Sequence, residues 1–242
     1  MNEQGVFLNP LHSVSASLST ETIRLDAQYK RSVPEPVSLQ TGLLVMIDKA
    51  IDVTKILSKC MDNGAYERLD KAAVSVQGIH YQEKVLTAGL VSPNMSGQML
   101  KGAIELPGSL ERIGDMLECI ANCYRVKSQN HITFSDRAHA ELDQLFAFLL
   151  DRMINLRDAL ETPNQVLLDH IIFHGEEVSR ALHSFRFAHW VRLKAGFCAP
   201  HASSIYLDLL DSMKTINEYL IRICVALQEL GTASSILFRK VF

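Results

Sequence analysis

Six stretches of this chain place apolar residues at steps of three and four, the spacing of one face of an α-helix and not of a strand. The most regular is Ala103, Leu106, Leu110, Ile113, Leu117, Ile120 and Tyr124. A second runs Ala138, Leu142, Leu145, Leu149, Met153, Leu156 and Leu160, and a third Ile205, Leu209, Met213, Ile216, Leu220, Ile223, Leu227 and Leu230. A fourth, between Ser38 and Met61, is Leu43, Leu44, Ile47, Ile51, Thr54 and Leu57. Two are weaker: Leu69, Ala73, Val76, His80 and Val85 from Tyr66 to about Leu86, and Leu167, Ile171, His174, Val178, Ala181, Phe185 and Ala188 after Pro163. Stripes of this kind must be buried against one another, and no strand pattern competes, so the chain is expected to be all-α.

Breakers and caps divide the stripes. Asn63-Gly64 is a stop, the segment from Gly89 to Pro93 reads as a turn, and Gly196 to Pro200 reads as a loop. Thr133-Phe-Ser-Asp136 reads as an N-cap with an acidic first turn. Thr162-Pro163 ends the fourth helix and puts a proline in the first turn of the fifth. Pro107 falls inside the third helix and predicts a kink or a break there. Six helices with short connections form two sets of three, so two tandem three-helix bundles are expected at 38–127 and 133–231. Residues 1–37 are less regular, with a short helix from Ser19-Thr20-Glu21 to about Arg31 stopped by Pro34 and Pro36, and 232–242 form a tail.

Composition excludes several roles. A net charge of −3 with no long Lys/Arg cluster leaves no electrostatic case for nucleic acid. No apolar run reaches the length needed to span a bilayer, and the first residues lack a basic n-region and an apolar h-region, so a cytoplasmic chain is expected. Five cysteines, an odd number without CxxC spacing, argue for reduced thiols. Cys119 and Cys123 share a helical face, but two thiolates alone make a poor zinc site. No GxSxG, Walker loop, HExxH or Cys–His arrangement is present, so no enzyme is expected.

Chemistry concentrates on the third helix. In Leu110-Glu-Arg-Ile-Gly-Asp115, Glu111 and Asp115 stand four residues apart, about 40° around the helix, and Glu118 and Asn122 extend their stripe. The stripe is either a ladder of metal ligands or a solvated face. Gly114 costs about 1 kcal/mol of helix propensity and implies close packing. His170, His174 and Glu177 share a face one turn apart, a spacing that suits zinc, although His174 also falls on the apolar stripe. His201 reads as a surface or capping residue. Arg180, Arg186, Arg192 and Lys194, with Trp190 among them, are either a partner- or phosphate-attracting patch or solvated helix ends. Ser109 to Asp115 can also be laid over Ser212-Met-Lys-Thr-Ile-Asn-Glu218, about one three-helix unit later, which suggests an internal duplication.

Leu110-Glu-Arg-Ile-Gly-Asp115 resembles the signature of PhoU proteins, regulators of phosphate uptake built from two three-helix bundles. Arg186 to Leu193, Gly196-Phe-Cys198 and Ser204-Ile-Tyr-Leu-Asp-Leu-Leu210 resemble the PhoU-like domain of bacterial sodium/phosphate cotransporters, and Phe7-Leu-Asn-Pro10 is similar to its linker. The resemblance implies a regulatory role without catalysis and a transporter or sensor complex as partner. It also implies a cytoplasmic or membrane-peripheral location and a homodimer as one assembly. In that family ExxxD pairs and acids of a neighbouring helix hold iron or zinc; the implied ligands here are Glu111, Asp115 and Asp70, with Glu118 beside them. Gln77 stands where the family often has a further acid. The second repeat departs further, with Lys214 in the Glu position and Glu218 in the Asp position, leaving Glu218 and Glu177 as a weaker second site. A metal-free helical scaffold is the alternative. A carboxylate-bridged metalloenzyme would need inward ligands from four helices of one bundle.

Overall fold

In the computed structural model, which describes residues 38–61, 66–90, 97–162 and 164–230, the chain forms six helices and no strand among the described residues. They are α1 (Leu39–Ser58), α2 (Tyr66–Leu90), α3 (Gly97–Gln129), α4 (Asp136–Glu161), α5 (Gln165–Lys194) and α6 (Pro200–Leu230). No helix among the described residues is long and apolar enough to cross a membrane. The expected helix at 19–31, the linker-like Phe7 to Pro10, the Asn63-Gly64 stop and the tail lie outside the described residues.

Local chemistry sets the helix ends. Ser38 Oγ accepts from Thr41 N–H at α1, and Ser135 Oγ from Ala138 N–H at α4, where the sequence placed a cap. After α3 the amide of Ile132 bonds back to Lys127 O, and after α5 that of Phe197 bonds back to Arg192 O. Both are Schellman closures whose turning residue needs positive φ: Gly196 at 78° and, unusually, His131 at 53°. Asn164 caps α5, so Pro163 precedes the cap and is not in the first turn; that role belongs to Pro200 of α6. Pro107 does not break α3, which is helical throughout. The amide hydrogen bond that proline removes is offset by burial of its neighbours Ala103, Leu106 and Leu110.

One contiguous core runs through both sets of three helices. The broadest contact is α3 on α6, repeat counterparts of each other. A side chain at Gly102 would meet Leu230, Arg112 lies near Tyr219 and Cys123 near Asp208, so the two helices run antiparallel along their lengths. Counterparts α1 and α4 also pair antiparallel, through Gln40 Nε2 on Leu160 O (2.7 Å), Thr54 on Met153 and the Arg157–Asp48 ion pair. The expected stripes of α3, α4 and α6 are buried throughout. That of α5 is rotated: Leu168, Gly175, Leu182 and His189 are buried in place of Leu167, His174, Ala181 and Ala188. The two faces are nearly equal in hydropathy, and Gly175 decides between them. An added Cβ there would come within 2.7 Å of the Arg152 guanidinium and of Ile221.

At the far end of the second bundle Glu141, 2% exposed, accepts from Arg192 (2.7 and 3.0 Å), Tyr206 (2.6 Å) and Arg137 (2.9 Å). Burial alone would raise its carboxyl, but these donors more than offset it and hold it below its ordinary value. Tyr206 is pushed up, by burial and then by the same hydrogen bond. A carboxyl lowered in the folded state stabilises above its unfolded value near 4.5, and that stability is lost as pH falls through the folded value. Glu141→Gln is therefore expected to cost roughly 2–4 kcal/mol at neutral pH. It should also flatten the loss of stability below about pH 4.5, read by denaturant unfolding across pH.

Candidate metal centre

The site begins with a close approach. Gly114 is buried, and Ile79 Cγ2 of α2 sits 3.4 Å from where its Cβ would be. Ile79 packs over Gly114 at this level, at a distance that an added methyl would meet in ordinary contact. The next residue of α2 after Ile79 is His80, and the contact delivers its imidazole to the carboxylate stripe. Nδ1 lies 3.4 Å from Glu111 Oε1 and Nε2 3.7 Å from Asp115 Oδ1. Arg112 holds the other Asp115 oxygen at 2.9 Å. The three side chains are 19–28% exposed, shielded but open to water.

His80, Glu111 and Asp115 are the one group of three His, Cys, Asp or Glu residues among those described whose donor atoms all lie within 4.8 Å of one another. The direct contacts are longer than the ~2.7–3.2 Å of good hydrogen bonds. One ring nitrogen ligates an ion at a time, and ligands around an ion with bonds of ~2.0–2.2 Å stand roughly 3–4 Å apart, so the imidazole would have to turn to present a single nitrogen beside the two carboxylates. One imidazole and two carboxylates, with water completing the shell, suit zinc, iron or manganese.

Asp70 and Glu118, expected as ligands, are not brought to this group. Asp70 is 76% exposed and pairs with Arg125 at 3.3 Å. It lies ten residues before His80, or about 15 Å along α2. Glu118 lies on α3 outside the group. His80, expected on the apolar stripe, instead stands beside the two carboxylates. The buried stripe of α2 is Leu69, Ala72, Val76, Ile79, Leu86 and Leu90, which leaves His80 one residue off it, at the boundary. A stricter count of the period would have exposed it.

In the second bundle Glu218 pairs with Lys214 at 3.5 Å, and Glu177 with His174 at 2.6 Å, both exposed pairs. His174 is 39% exposed, which corrects its placement on the apolar stripe; its ring lies 4.1 Å from that of His170. The Asp70–Arg125 pair has its counterpart in Asp169–Gln228 (2.7 Å), and this correspondence puts Ser179 at the place of His80. With Lys214 at the place of Glu111, the second copy keeps one of three donors. His201 is an exposed residue of the first turn of α6. Burial pushes the Cys123 thiol up to about 11 and raises Cys119, so neither is a ready thiolate ligand. Of the basic residues on α5, Arg192 belongs to the Glu141 network and not to an exposed patch.

An all-α protein of two repeat-related three-helix bundles, with a histidine–carboxylate group on the first, is thus defined. Its fold is that of PhoU proteins. PhoU of Pseudomonas aeruginosa superimposes with a TM-score of 0.70 at 15% identity, over 81% of this chain and 96% of that one. The phosphate transport system regulatory protein PhoU of Streptococcus pneumoniae does so with 0.69 at 16% identity, over 81% and 94%. No protein-family model matches the sequence, and no curated protein matches it.

Gly114→Ala, whose methyl meets Ile79 at ordinary contact distance, should leave the melting temperature unchanged or slightly raised. Gly114→Leu should destabilise by about 1–3 kcal/mol through overpacking against Ile79. Thermal unfolding of both variants checks this.

Proposed function

We propose that the chain is a PhoU-type regulator of phosphate transport or phosphate-responsive signalling. It acts by contact with a membrane transporter or sensor complex, and a metal ion held by His80, Glu111 and Asp115 stiffens the contacting surface. The observation that carries this reading is a coincidence of position: Leu110-Glu-Arg-Ile-Gly-Asp115, on a PhoU fold, falls on the one ligand-spaced group among the described residues. A cation there would offset the repulsion between two carboxylates and tie α2 to α3, which otherwise meet through side-chain packing. Iron or zinc follows from the family resemblance and agrees with the donor set. A second reading keeps the regulatory role without metal, His80 then bridging the two acids as a clamp between α2 and α3.

Elemental analysis of protein purified without chelator and then supplied with metal separates the two. Near-stoichiometric metal in the wild type, lost in Glu111→Ala/Asp115→Ala and lowered about 10–100-fold in affinity by His80→Ala, is expected. No metal in the wild type, or metal unaffected by the double substitution, would overturn the metal-bound reading. Capture of the transporter by the wild type, weakened by chelator, is the expected readout of the regulatory half. Capture that chelator leaves unchanged favours the metal-free clamp.

A further inference from the structure

At the place in the second bundle that corresponds to the carboxylate group of the first, one carboxylate gives way to a cation while Glu218 keeps the other. Lys214 replaces Glu111, and a pocket of about 240 Å³ opens between α5 and α6, where His183, Arg186 and Lys214 face Ser179 and Asp211. His183 and Arg186 come from α5 and Lys214 from α6, so cationic and hydrogen-bonding groups converge from two helices. Asp211 engages one guanidinium nitrogen of Arg186, leaving Nε and Nη1 with no partner among the described residues. His183 makes no hydrogen bond or ion pair among them either. Lys214 meets Glu218 only at 3.5 Å in an exposed pair of little strength.

The pocket does not end there. His183 and Arg186 also border a second hollow of about 370 Å³ walled by Phe187, Trp190, Leu193 and Leu207. Phe187 and Trp190, one turn apart on α5, are 68% and 61% exposed, a large apolar area left facing solvent. A basic subsite joined through two shared residues to an aromatic one fits a ligand with an anionic end and a flat apolar body. Their combined size is within the range of small-molecule sites.

We infer that this double pocket binds a nucleoside phosphate. The phosphate lies among Arg186, Lys214 and His183, and the base stacks against Trp190 and Phe187. The inference does not depend on the metal centre, which is on the other bundle.

Trp190 is the single tryptophan of the chain, so its fluorescence reports the aromatic subsite directly. Titration with AMP and ADP is expected to quench it saturably, while inorganic phosphate displaces the nucleotide only at much higher concentration. By calorimetry, Lys214→Glu should weaken nucleotide binding about tenfold or more, and Trp190→Ala several-fold. Both substitutions are at exposed positions, and circular dichroism will check that each variant folds. The inference is overturned by any of three results: no saturable quenching up to roughly 10 mM nucleotide, binding unchanged in folded Lys214→Glu, or phosphate binding as tightly as AMP. A tryptophan blue shift with anionic phosphatidylglycerol vesicles and no response to nucleotide would overturn it too, in favour of a lipid surface.

Discussion

Two helices whose sequences can be laid over one another, α3 and α6, lie against each other antiparallel over nearly their full lengths, and every other element is placed relative to that contact. Each carries an apolar stripe wider than one neighbour can cover, so each packs both on its counterpart and on the other helices of its own bundle. The pairing of α1 with α4 repeats the arrangement at the other side of the core. Because counterparts meet counterparts, the faces left outward are also counterparts: the α2–α3 surface and the α5–α6 surface.

The divergence begins at one backbone level. In the first repeat Gly114 admits Ile79, and the packing that follows puts a histidine beside two carboxylates. In the second, Asn217 stands in the glycine's place, fully buried, and donates to Gly175 O (3.0 Å) and Ser179 Oγ (3.1 Å). A polar tie replaces the apolar contact, and Lys214 takes the place of Glu111 beside it. Nearby, Arg152 is buried with one hydrogen bond, to Ile171 O, and burial lowers its guanidinium to about 10. The second bundle therefore spends stability on buried polar groups where the first is packed apolar.

Much of this was legible in the residues. The stripes of α3, α4 and α6 and the Ser135 cap were readable because strong periodicity and cap chemistry are local. The stripe of α5 was not, since two faces one residue apart are nearly equally apolar and only the fit of Arg152 and Ile221 over Gly175 chooses between them. That Pro107 does not end α3 was likewise out of reach, because the burial that outweighs its lost hydrogen bond is a tertiary effect. Glu111 and Asp115 were visible as a pair on one helix. The histidine that completes the group comes from another helix, where Ile79 packs over Gly114, and Asp70 stands ten residues further back along that helix, paired with Arg125.

The central claim is that an ion joins α2 to α3 at His80, Glu111 and Asp115 and leaves α5 and α6 untouched. Amide hydrogen exchange, measured with and without saturating zinc or iron, tests it most directly, because a ligand of the folded state slows the openings that would break its site. Slower exchange confined to α2 around Val76 to Glu83 and to α3 around Leu110 to Glu118, absent in His80→Ala, is the predicted result. Exchange unchanged by metal, or slowed equally in α5 and α6, would contradict it.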